Sequence, residues 1–246
     1  MRLKGKRAIV TGGGSGFGAG IATRFRAEGA EVIIADIDLQ NAKKVAGQTG
    51  ATAVQTDVSD PESVADLIRT AEDRMGGIDI LVNNAGITHL PAPMEDVSME
   101  DFDRVFAVNC KSVYLTARSL VPGLKANGAG AILNIASTAG ISPRPGLNWY
   151  NASKGWMNTA TKAMAVELAP FGIRVNALDP VAGETPLLAS FMGEDTPEMR
   201  AKFLATIPLG RFSTPRDLAN AALFLCSDEA DMITGACLEV DGGRCI

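Results

Sequence analysis

Tyr150 and Lys154 are the residues of this sequence whose types and spacing are best suited to proton chemistry. Residues four apart on a helix share one face, so the two side chains are expected to lie close together. A phenol has an ordinary pKa of ~10, and a neighbouring ammonium favours its ionised form. The pair therefore predicts a tyrosine whose pKa is lowered by Lys154 and which exchanges a proton with a substrate near neutral pH.

Two further polar residues, Ser137 and Asn109, complete the candidate catalytic set. Ser137 follows the apolar run 131–135, and its hydroxyl could donate a hydrogen bond to a carbonyl oxygen and stabilise charge that develops there. Asn109 falls within a predicted helix, although asparagine is a poor helix former. Each residue alone has a plainer interpretation, as a packing, turn or surface residue. Together with a cofactor-binding loop, they favour catalysis.

A glycine-rich turn over residues 12–18 follows the first predicted strand and precedes the first predicted helix. In this context, backbone N–H groups and the helix N-terminus can bind the pyrophosphate of a dinucleotide. Asp36 ends the second predicted strand, roughly 20 residues further on, where a carboxylate accepts hydrogen bonds from the adenosine ribose. Neither Ser15 nor Ile37 is basic, so the pattern favours NAD over NADP. The alternative, that Asp36 only caps the next helix, remains open.

Short apolar runs alternate with longer amphipathic segments along the whole chain. The predicted strands are 7–11, 31–35, 52–55, 78–82, 131–135, 173–178 and 236–240. The predicted helices are 17–28, 39–48, 61–75, 98–125, 148–169 and 215–226. Apolar strands without alternation indicate a parallel sheet covered on both faces, and right-handed crossovers give a doubly wound, Rossmann-like α/β fold. We expect a single domain over residues 1–246, with a helical lid over the substrate at about 182–212.

Composition excludes several classes of function. The chain has 246 residues, 46% of them hydrophobic, a net charge of −5 and no run of lysine or arginine, so binding to nucleic acid is not expected. No apolar run approaches the ~18 residues that span a bilayer, and the start of the chain is expected to carry no secretory signal. The four cysteines show no metal or disulfide spacing, which favours reduced thiols and a cytoplasmic location. The only histidine, His89, is expected on a loop surface and forms no metal site.

The motifs together resemble the short-chain dehydrogenase/reductase family over essentially the whole chain. They are Thr11-Gly12-x-x-x-Gly16-x-Gly18, Asn83-Asn84-Ala85-Gly86, Asn109, Ser137, Tyr150-Asn151-Ala152-Ser153-Lys154, and Pro180 with Thr185 beyond it. The glycine loop, Asp36 and this resemblance together imply a cofactor site formed by Gly12, Ser15, Gly16, Phe17, Gly18, Asp36, Ile37, Asp57, Val58, Asn84, Ala85, Gly86, Tyr150, Lys154, Pro180, Val181 and Thr185. The resemblance also implies that Asn109 holds a water that links Lys154 to solvent.

Two positions depart from the pattern of that family. The family usually has Pro-Gly after the sixth strand, whereas this chain has Pro180-Val181, and the usual asparagine before that proline is Asp179. The valine is expected to reduce backbone freedom beside the nicotinamide and to alter the wall of the substrate pocket.

The predicted substrate pocket is mostly apolar with a few polar groups, which suits many small ketones. Its candidate residues are Ile87, His89, Leu90, Thr138, Ala139, Asn148, Trp149, Val181, Leu187, Leu188 and Phe191. Arg144 is interpreted as a solvated charge, with recognition of an anionic substrate as the alternative, because a guanidinium suits carboxylates.

Three functions are consistent with these observations. The favoured one is an NAD-dependent dehydrogenase of a small secondary alcohol, a polyol or a cyclic alcohol, with the corresponding ketone as the other substrate. A second is an NADPH-dependent 3-oxoacyl-acyl-carrier-protein reductase, against which Asp36 and the absence of arginines in 127–131 and 170–172 both argue. A third is a catalytically silent NAD-binding module, against which the complete catalytic set argues. The resemblance further suggests a homotetramer formed through the helices at about 101–125 and 148–169.

Overall fold

Seven parallel strands form the central sheet of the computed structural model, which describes residues 1–246. The strands are β1 (Arg7–Thr11), β2 (Glu31–Asp36), β3 (Thr52–Gln55), β4 (Ile80–Asn83), β5 (Gly130–Ile135), β6 (Ile173–Pro180) and β7 (Cys237–Val240). They are arranged in the order β3-β2-β1-β4-β5-β6-β7, and all neighbours are parallel. The predicted doubly wound, Rossmann-like sheet is therefore confirmed.

Nine α-helices connect the strands and cover the sheet. They are α1 (Gly16–Ala27), α2 (Leu39–Thr49), α3 (Pro61–Met75), α4 (Met99–Phe106), α5 (Ser112–Asn127), α6 (Asn148–Leu168), α7 (Leu188–Met192), α8 (Pro197–Leu204) and α9 (Pro215–Cys226). No helix is both long enough and apolar enough to span a membrane.

Local sequence signals explain several helix boundaries, of which those of α3 are an example. The Asp60 carboxylate accepts a hydrogen bond from the Ser63 backbone N–H at 2.7 Å, and Pro61 occupies the first turn, so α3 begins there. The same helix ends at Gly76, whose φ of +72° is the left-handed conformation that glycine tolerates best. Capping of this kind makes the element positions readable from sequence.

The hydrophobic core occupies both faces of the sheet because side chains alternate along each strand. On one face, Val10 of β1 belongs to a cluster with Phe25 of α1 and Leu218 of α9, all fully buried. On the other face, the adjacent Ile9 belongs to a cluster with Leu67 of α3 and Leu124 of α5. Two layers of helices therefore hold the carboxyl ends of the strands in a rigid frame.

The predicted single helix over 98–125 is wrong in one respect. A π-helical turn over Ala107–Lys111 separates α4 from α5 and contains Asn109. Such turns insert a residue into the helical hydrogen-bond pattern and frequently occur at functional sites. The poor helix propensity of Asn109 is consistent with its position in this turn.

Candidate active site

A cleft of about 460 Å³ opens along the carboxyl edge of the sheet, where β1, β2, β4, β5 and β6 end. In parallel sheets, loops beyond these strand ends form the ligand site, at the point where the strand order reverses. That point lies here between β1 and β4, which are neighbours in space and distant in sequence. The glycine loop after β1 and the Asn84–Gly86 segment after β4 therefore form facing walls.

The glycine loop provides free backbone donors at the start of α1. Helix α1 has no side-chain cap and no acidic residue in its first turn, so its N-terminal N–H groups are available to an anion. Gly12 and Gly16 have positive φ values of +60° and +52°. A Cβ on Gly12 would also lie 2.8 Å from the Ala85 Cα, so only glycine fits this close approach. These features fit the pyrophosphate of a dinucleotide.

The two walls of the cleft are joined by hydrogen bonds. The Asn84 Nδ2 donates to the Thr11 carbonyl at 2.9 Å and to the Gly12 carbonyl at 3.0 Å. The Thr11 hydroxyl accepts from the backbone N–H groups of Asn84 and Ala85. The glycine loop is therefore held in place before any ligand binds.

Asp36 lies in the cleft wall, and its contact with an adenosine ribose stays a prediction. One carboxylate oxygen accepts from the Gly14 N–H at 2.9 Å and the other from the Asp38 N–H at 3.0 Å. Asp38, rather than Asp36, caps α2. The capping alternative for Asp36 is therefore wrong, although the carboxylate does also brace the glycine loop.

The structure brings most of the predicted cofactor residues into this cleft. All of them line it except Gly18, which packs against the Gly12 carbonyl and therefore supports the loop from behind. Thr185 approaches the loop from the opposite side, since a Cβ on Gly16 would lie 3.2 Å from its side chain. Asn109 is fully buried behind the wall.

Ser137, Tyr150 and Lys154 meet in the same cleft, all with less than a tenth of their surface exposed. Ser137 follows β5, and its backbone N–H donates to the Asp179 carboxylate at 3.1 Å. Tyr150 lies in the first turn of α6, with its ring 5.1 Å from that of Phe191. The three side chains, which are up to 17 positions apart in the sequence, therefore face the same part of the cleft.

The pKa of Tyr150 is not lowered in the protein without ligands, and its lowering by Lys154 together with a bound oxidised nicotinamide stays a prediction. Burial raises the pKa of Tyr150 to about 12, while the Ser137 hydroxyl and the Arg144 charge lower it. Lys154 Nζ lies 5.9 Å from the tyrosine ring centroid and donates to the Ile135 carbonyl at 2.8 Å. Burial also lowers the pKa of Lys154 to about 8.

Asn109 connects the π-helical turn to both neighbouring walls. Its Oδ1 accepts from the Ile87 N–H, and its Nδ2 donates to the Ile87 carbonyl and the Ser153 hydroxyl, all at 2.9 Å. A Cβ on Gly86 would lie 3.4 Å from Asn109 Oδ1 and 3.3 Å from Lys154 Nζ. Asn109 and Lys154 thus converge on one point at Gly86.

Val181 contributes to a small apolar cluster that supports the predicted lid. It packs with Leu188, Met192, Ile207 and Phe212, all buried. The residue that departs from the usual Pro-Gly pattern therefore anchors the segment over the cleft.

Several predicted substrate residues lie elsewhere. Ile87, Thr138, Ala139, Val181, Leu187 and Phe191 line the cleft, whereas His89, Leu90, Asn148, Trp149 and Leu188 do not. His89 is buried, not on a loop surface, and its Nδ1 lies 2.8 Å from the Leu90 carbonyl oxygen. Trp149 packs edge-on against Phe102, outside the cleft.

Two arginines at the substrate end were misjudged or missed by sequence reasoning. Arg144 lines the cleft and is partly buried, so its interpretation as a solvated charge is wrong. Arg244 also lines it, and its Nη1 donates to the Ser142 hydroxyl at 3.3 Å. The position of Arg244 in the sequence could have indicated its role, since it follows the last strand and parallel strands all end at the same edge of the sheet.

Comparison with known proteins agrees with this geometry. Residues 12–244 match the family model described as enoyl-(acyl carrier protein) reductase. The chain is 47% identical to a 4-formylbenzenesulfonate dehydrogenase of Comamonas testosteroni, with 99% of each chain covered. It is 39% identical to a 2,5-dichloro-2,5-cyclohexadiene-1,4-diol dehydrogenase of Sphingobium indicum, with 98% of this chain and 97% of the relative covered.

A solved structure is similar over the whole chain. The 3-ketoacyl-(acyl-carrier-protein) reductase of Brucella melitensis, complexed with NADH, is 53% identical and superposes with a TM-score of 0.95, with 99% of this chain and 100% of that chain covered. The chain therefore belongs to the short-chain dehydrogenase/reductase family. It is an oxidoreductase that acts on substrates of the alcohol and ketone type.

Proposed function

We propose that this chain is an NAD(H)-dependent dehydrogenase that transfers a hydride between the nicotinamide and a small secondary alcohol or ketone. The observation that carries the proposal is the meeting of Ser137, Tyr150 and Lys154 in one cleft that continues to the glycine loop. When bound, the cofactor supplies the hydride acceptor or donor, and the protein supplies binding, orientation and proton transfer.

Tyr150 is proposed as the general acid and base. In ketone reduction its hydroxyl gives a proton to the substrate oxygen, and in alcohol oxidation it takes that proton back. Since burial disfavours the phenolate, Tyr150 holds its proton at neutral pH and is ready for the acid role. Ser137 would hold the same substrate oxygen by a hydrogen bond and stabilise charge that develops on it.

Charge at the adenosine end of the cleft supports NAD as the cofactor. Asp36 and Asp57 are the only charged residues that line this end, and exposed Ile37 lies beside them. The basic residues of the cleft are Arg144, Lys154 and Arg244, all remote from Asp36 in the arrangement of the strands. A 2′-phosphate would therefore meet a carboxylate and no cation. The similar Brucella protein was crystallised with NADH.

Substitution of Tyr150 by phenylalanine tests the proposal. Tyr150→Phe should reduce kcat about 10²–10⁴-fold in a panel of secondary alcohols with NAD, because only the hydroxyl is lost. NADH binding, followed by fluorescence, should persist. The matched control is Tyr114→Phe, since Tyr114 is the only other tyrosine and lies on α5, outside the cleft. A Tyr150→Phe variant that kept more than about a tenth of the wild-type kcat would contradict the acid–base role.

Reduction of 3-oxoacyl groups on acyl carrier protein is the second candidate function. The name of the 53% identical Brucella protein favours this function. Because that protein was crystallised with NADH, a preference for NAD is only a weak argument against this function. Comparing kcat/KM for a 3-oxoacyl thioester with that for simple ketones would decide between the two. A chain that binds NADH but turns over no member of either panel would instead be a catalytically silent binding module.

We also propose that residues 182–212 form a lid. Leu187, Phe191 and Phe203 of this segment line the cleft, and α7 and α8 rest on the small cluster around Val181. Such a segment can exclude water once the substrate is bound. Limited proteolysis should cleave this segment more slowly when NADH and a substrate analogue are both present.

A homotetramer formed through α5 and α6 is proposed as the assembly. Tyr114, Trp156 and Val166 expose large apolar side chains on these helices, at 54%, 40% and 80% of their surface. Apolar residues grouped on helices are typical of subunit interfaces. Light scattering would measure the assembly, and Val166→Glu should reduce its mass. The four cysteines are all free thiols, which supports a reducing, cytoplasmic location.

A further inference from the structure

The guanidinium groups of Arg144 and Arg244 have no carboxylate partner in the protein. Neither residue takes part in any of its ion pairs. Arg244 donates only one side-chain hydrogen bond, to Ser142, and the Arg144 guanidinium donates none. Lys154, the third cation that lines the cleft, donates to the Ile135 carbonyl, so Arg144 is the cleft cation whose charged group donates no hydrogen bond.

Aromatic rings hold the Arg144 guanidinium in the cleft wall. Its Cζ lies 4.3 Å from the Phe203 ring centroid and 5.7 Å from that of Phe191. The Arg144 carbonyl accepts a hydrogen bond from Asn151 Nδ2 at 2.8 Å, which ties the backbone to α6. Stacking of this kind orients the planar guanidinium while leaving its N–H edges free for a ligand. The side chain is thus fixed in position before any ligand arrives.

The two ends of the cleft differ in charge. Asp36 and Asp57 line the adenosine end, whereas Arg144, Arg244 and Lys154 are the only charged residues that line the substrate end. Burial lowers the pKa of Arg144, and the neighbouring Arg244 charge lowers it further, yet an arginine stays protonated at neutral pH. An unpaired cation that is partly removed from water costs free energy, and a bound anion would offset that cost.

We propose that the substrate carries an organic oxyanion, a carboxylate or a sulfonate, which Arg144 binds through its planar fork with Arg244 beside it. The rest of the substrate would pack on Phe191, whose ring also touches Tyr150, so that the reacting oxygen reaches the Tyr150 hydroxyl. The Arg144 Cζ lies 5.7 Å from the Phe191 ring centroid, which lies 5.1 Å from the Tyr150 ring centroid, so the oxyanion would bind within one small molecule's length of the chemistry. This inference rests on the proposed function, because it defines the substrate class for the same cleft.

Calorimetric binding to the protein saturated with NADH tests the inference without requiring turnover. The ligands are benzoate and benzenesulfonate, each compared with its neutral counterpart, benzamide or benzenesulfonamide, at one fixed ionic strength. We expect at least one oxyanion to bind about tenfold more tightly than its neutral counterpart, or ~1.4 kcal/mol. The relative affinities of the two oxyanions then distinguish a carboxylate site from a sulfonate site.

Variants assign the effect to Arg144. In Arg144→Gln the oxyanion preference should fall below about threefold, and Arg144→Lys should keep only part of it, because the charge remains but the fork is lost. Arg69→Gln is the matched control, since Arg69 is exposed on α3 and lies outside the cleft. NADH affinity and the unfolding midpoint of each variant show that it is folded. If Arg144→Gln does not fold, the test uses the comparison of charged and neutral ligands in the wild type. It also uses Arg244→Gln, which should weaken the preference for the oxyanion.

Two results would overturn the inference: equal binding of charged and neutral ligands by the wild type, or an oxyanion preference that survives in Arg144→Gln. Both can occur in a protein that oxidises neutral secondary alcohols with NAD, so they leave the proposed function intact. Conversely, a protein that binds no NADH and oxidises no alcohol would contradict the proposed function, whether or not it binds these anions.

Discussion

Replacement of Asp179 by asparagine should stabilise the protein at neutral pH. Asp179 is fully buried at the end of β6, and its Oδ1 accepts from the Ser137 N–H at 3.1 Å and from Asn158 Nδ2 at 2.9 Å. Its Oδ2 and the Asn158 Oδ1 are both buried without a partner. An asparagine keeps the accepting oxygen and replaces Oδ2 by an uncharged donor, in a pocket that already contains an unsatisfied acceptor.

The expected size of this effect follows from the pKa of the carboxyl group. Burial raises the pKa of Asp179 from its ordinary 3.8 to about 6, although hydrogen bonds from Asn158 and Ser137 lower it, and the Glu239 charge raises it further while Lys154 lowers it. If the pKa of Asp179 differs by that much between the folded and unfolded states, ionisation of its carboxyl group lowers the free energy of unfolding by roughly 3 kcal/mol. The folded state binds the proton more tightly, so the free energy of unfolding falls as pH rises from about 4 to about 6.

Urea denaturation of wild type and Asp179→Asn at pH 7 and near pH 4.5 measures this effect. At pH 7 the variant should be more stable by up to roughly 3 kcal/mol, and the advantage should shrink at the lower pH, where the wild-type carboxyl group is protonated. Asp231→Asn, at an exposed position, is the control and should show no such dependence. A variant that is less stable at pH 7, or whose advantage is the same at both pH values, would refute the reasoning.

Two further predictions concern the cofactor. Wild type should have a higher kcat/KM with NAD than with NADP. The double variant Asp36→Ala, Ile37→Arg should lose or reverse that preference, because a carboxylate is removed and a guanidinium is supplied for the 2′-phosphate. A wild type that prefers NADP would show that the interpretation of Asp36 is wrong. NADH affinity should weaken as pH rises through about 8, where buried Lys154 loses its proton, and should be weak and independent of pH in Lys154→Met. Fluorescence titrations between pH 7 and pH 9 measure this, and a flat wild-type profile would exclude a role for the Lys154 charge.

Much of the fold was predictable because its signals are local. Buried apolar runs, capping residues such as Asp60 and the glycines after β1 define strands, helices and the phosphate loop within a few residues of sequence. Parallel strands then place every loop that follows a strand at one edge of the sheet, so the sequence alone assigns Ser137 and Asp36 to the same cleft.

Contacts between distant segments could not be predicted in the same way. Helical spacing placed Tyr150 and Lys154 on one face, but it could not show that the Lys154 ammonium bonds to the Ile135 carbonyl on β5. Nor could it show the π-helical turn that directs Asn109 toward Ile87. These outcomes depend on which acceptors the packed sheet presents to each side chain, and hydrogen-bond partners far along the chain leave no local pattern.

The sequence by itself therefore determined the doubly wound sheet, the glycine loop and the identities of the reactive groups, since each rests on residue type and short-range spacing. Only the tertiary structure decided how each group is charged and what surrounds it. It buried Tyr150 and Asp179, raising both pKa values, and brought Arg144 and Arg244 from distant loops to one wall of the cleft. The physical reason is that burial and charge pairing depend on neighbours in space, and an arginine with a long apolar stem is equally compatible in sequence with solvent or with a binding site.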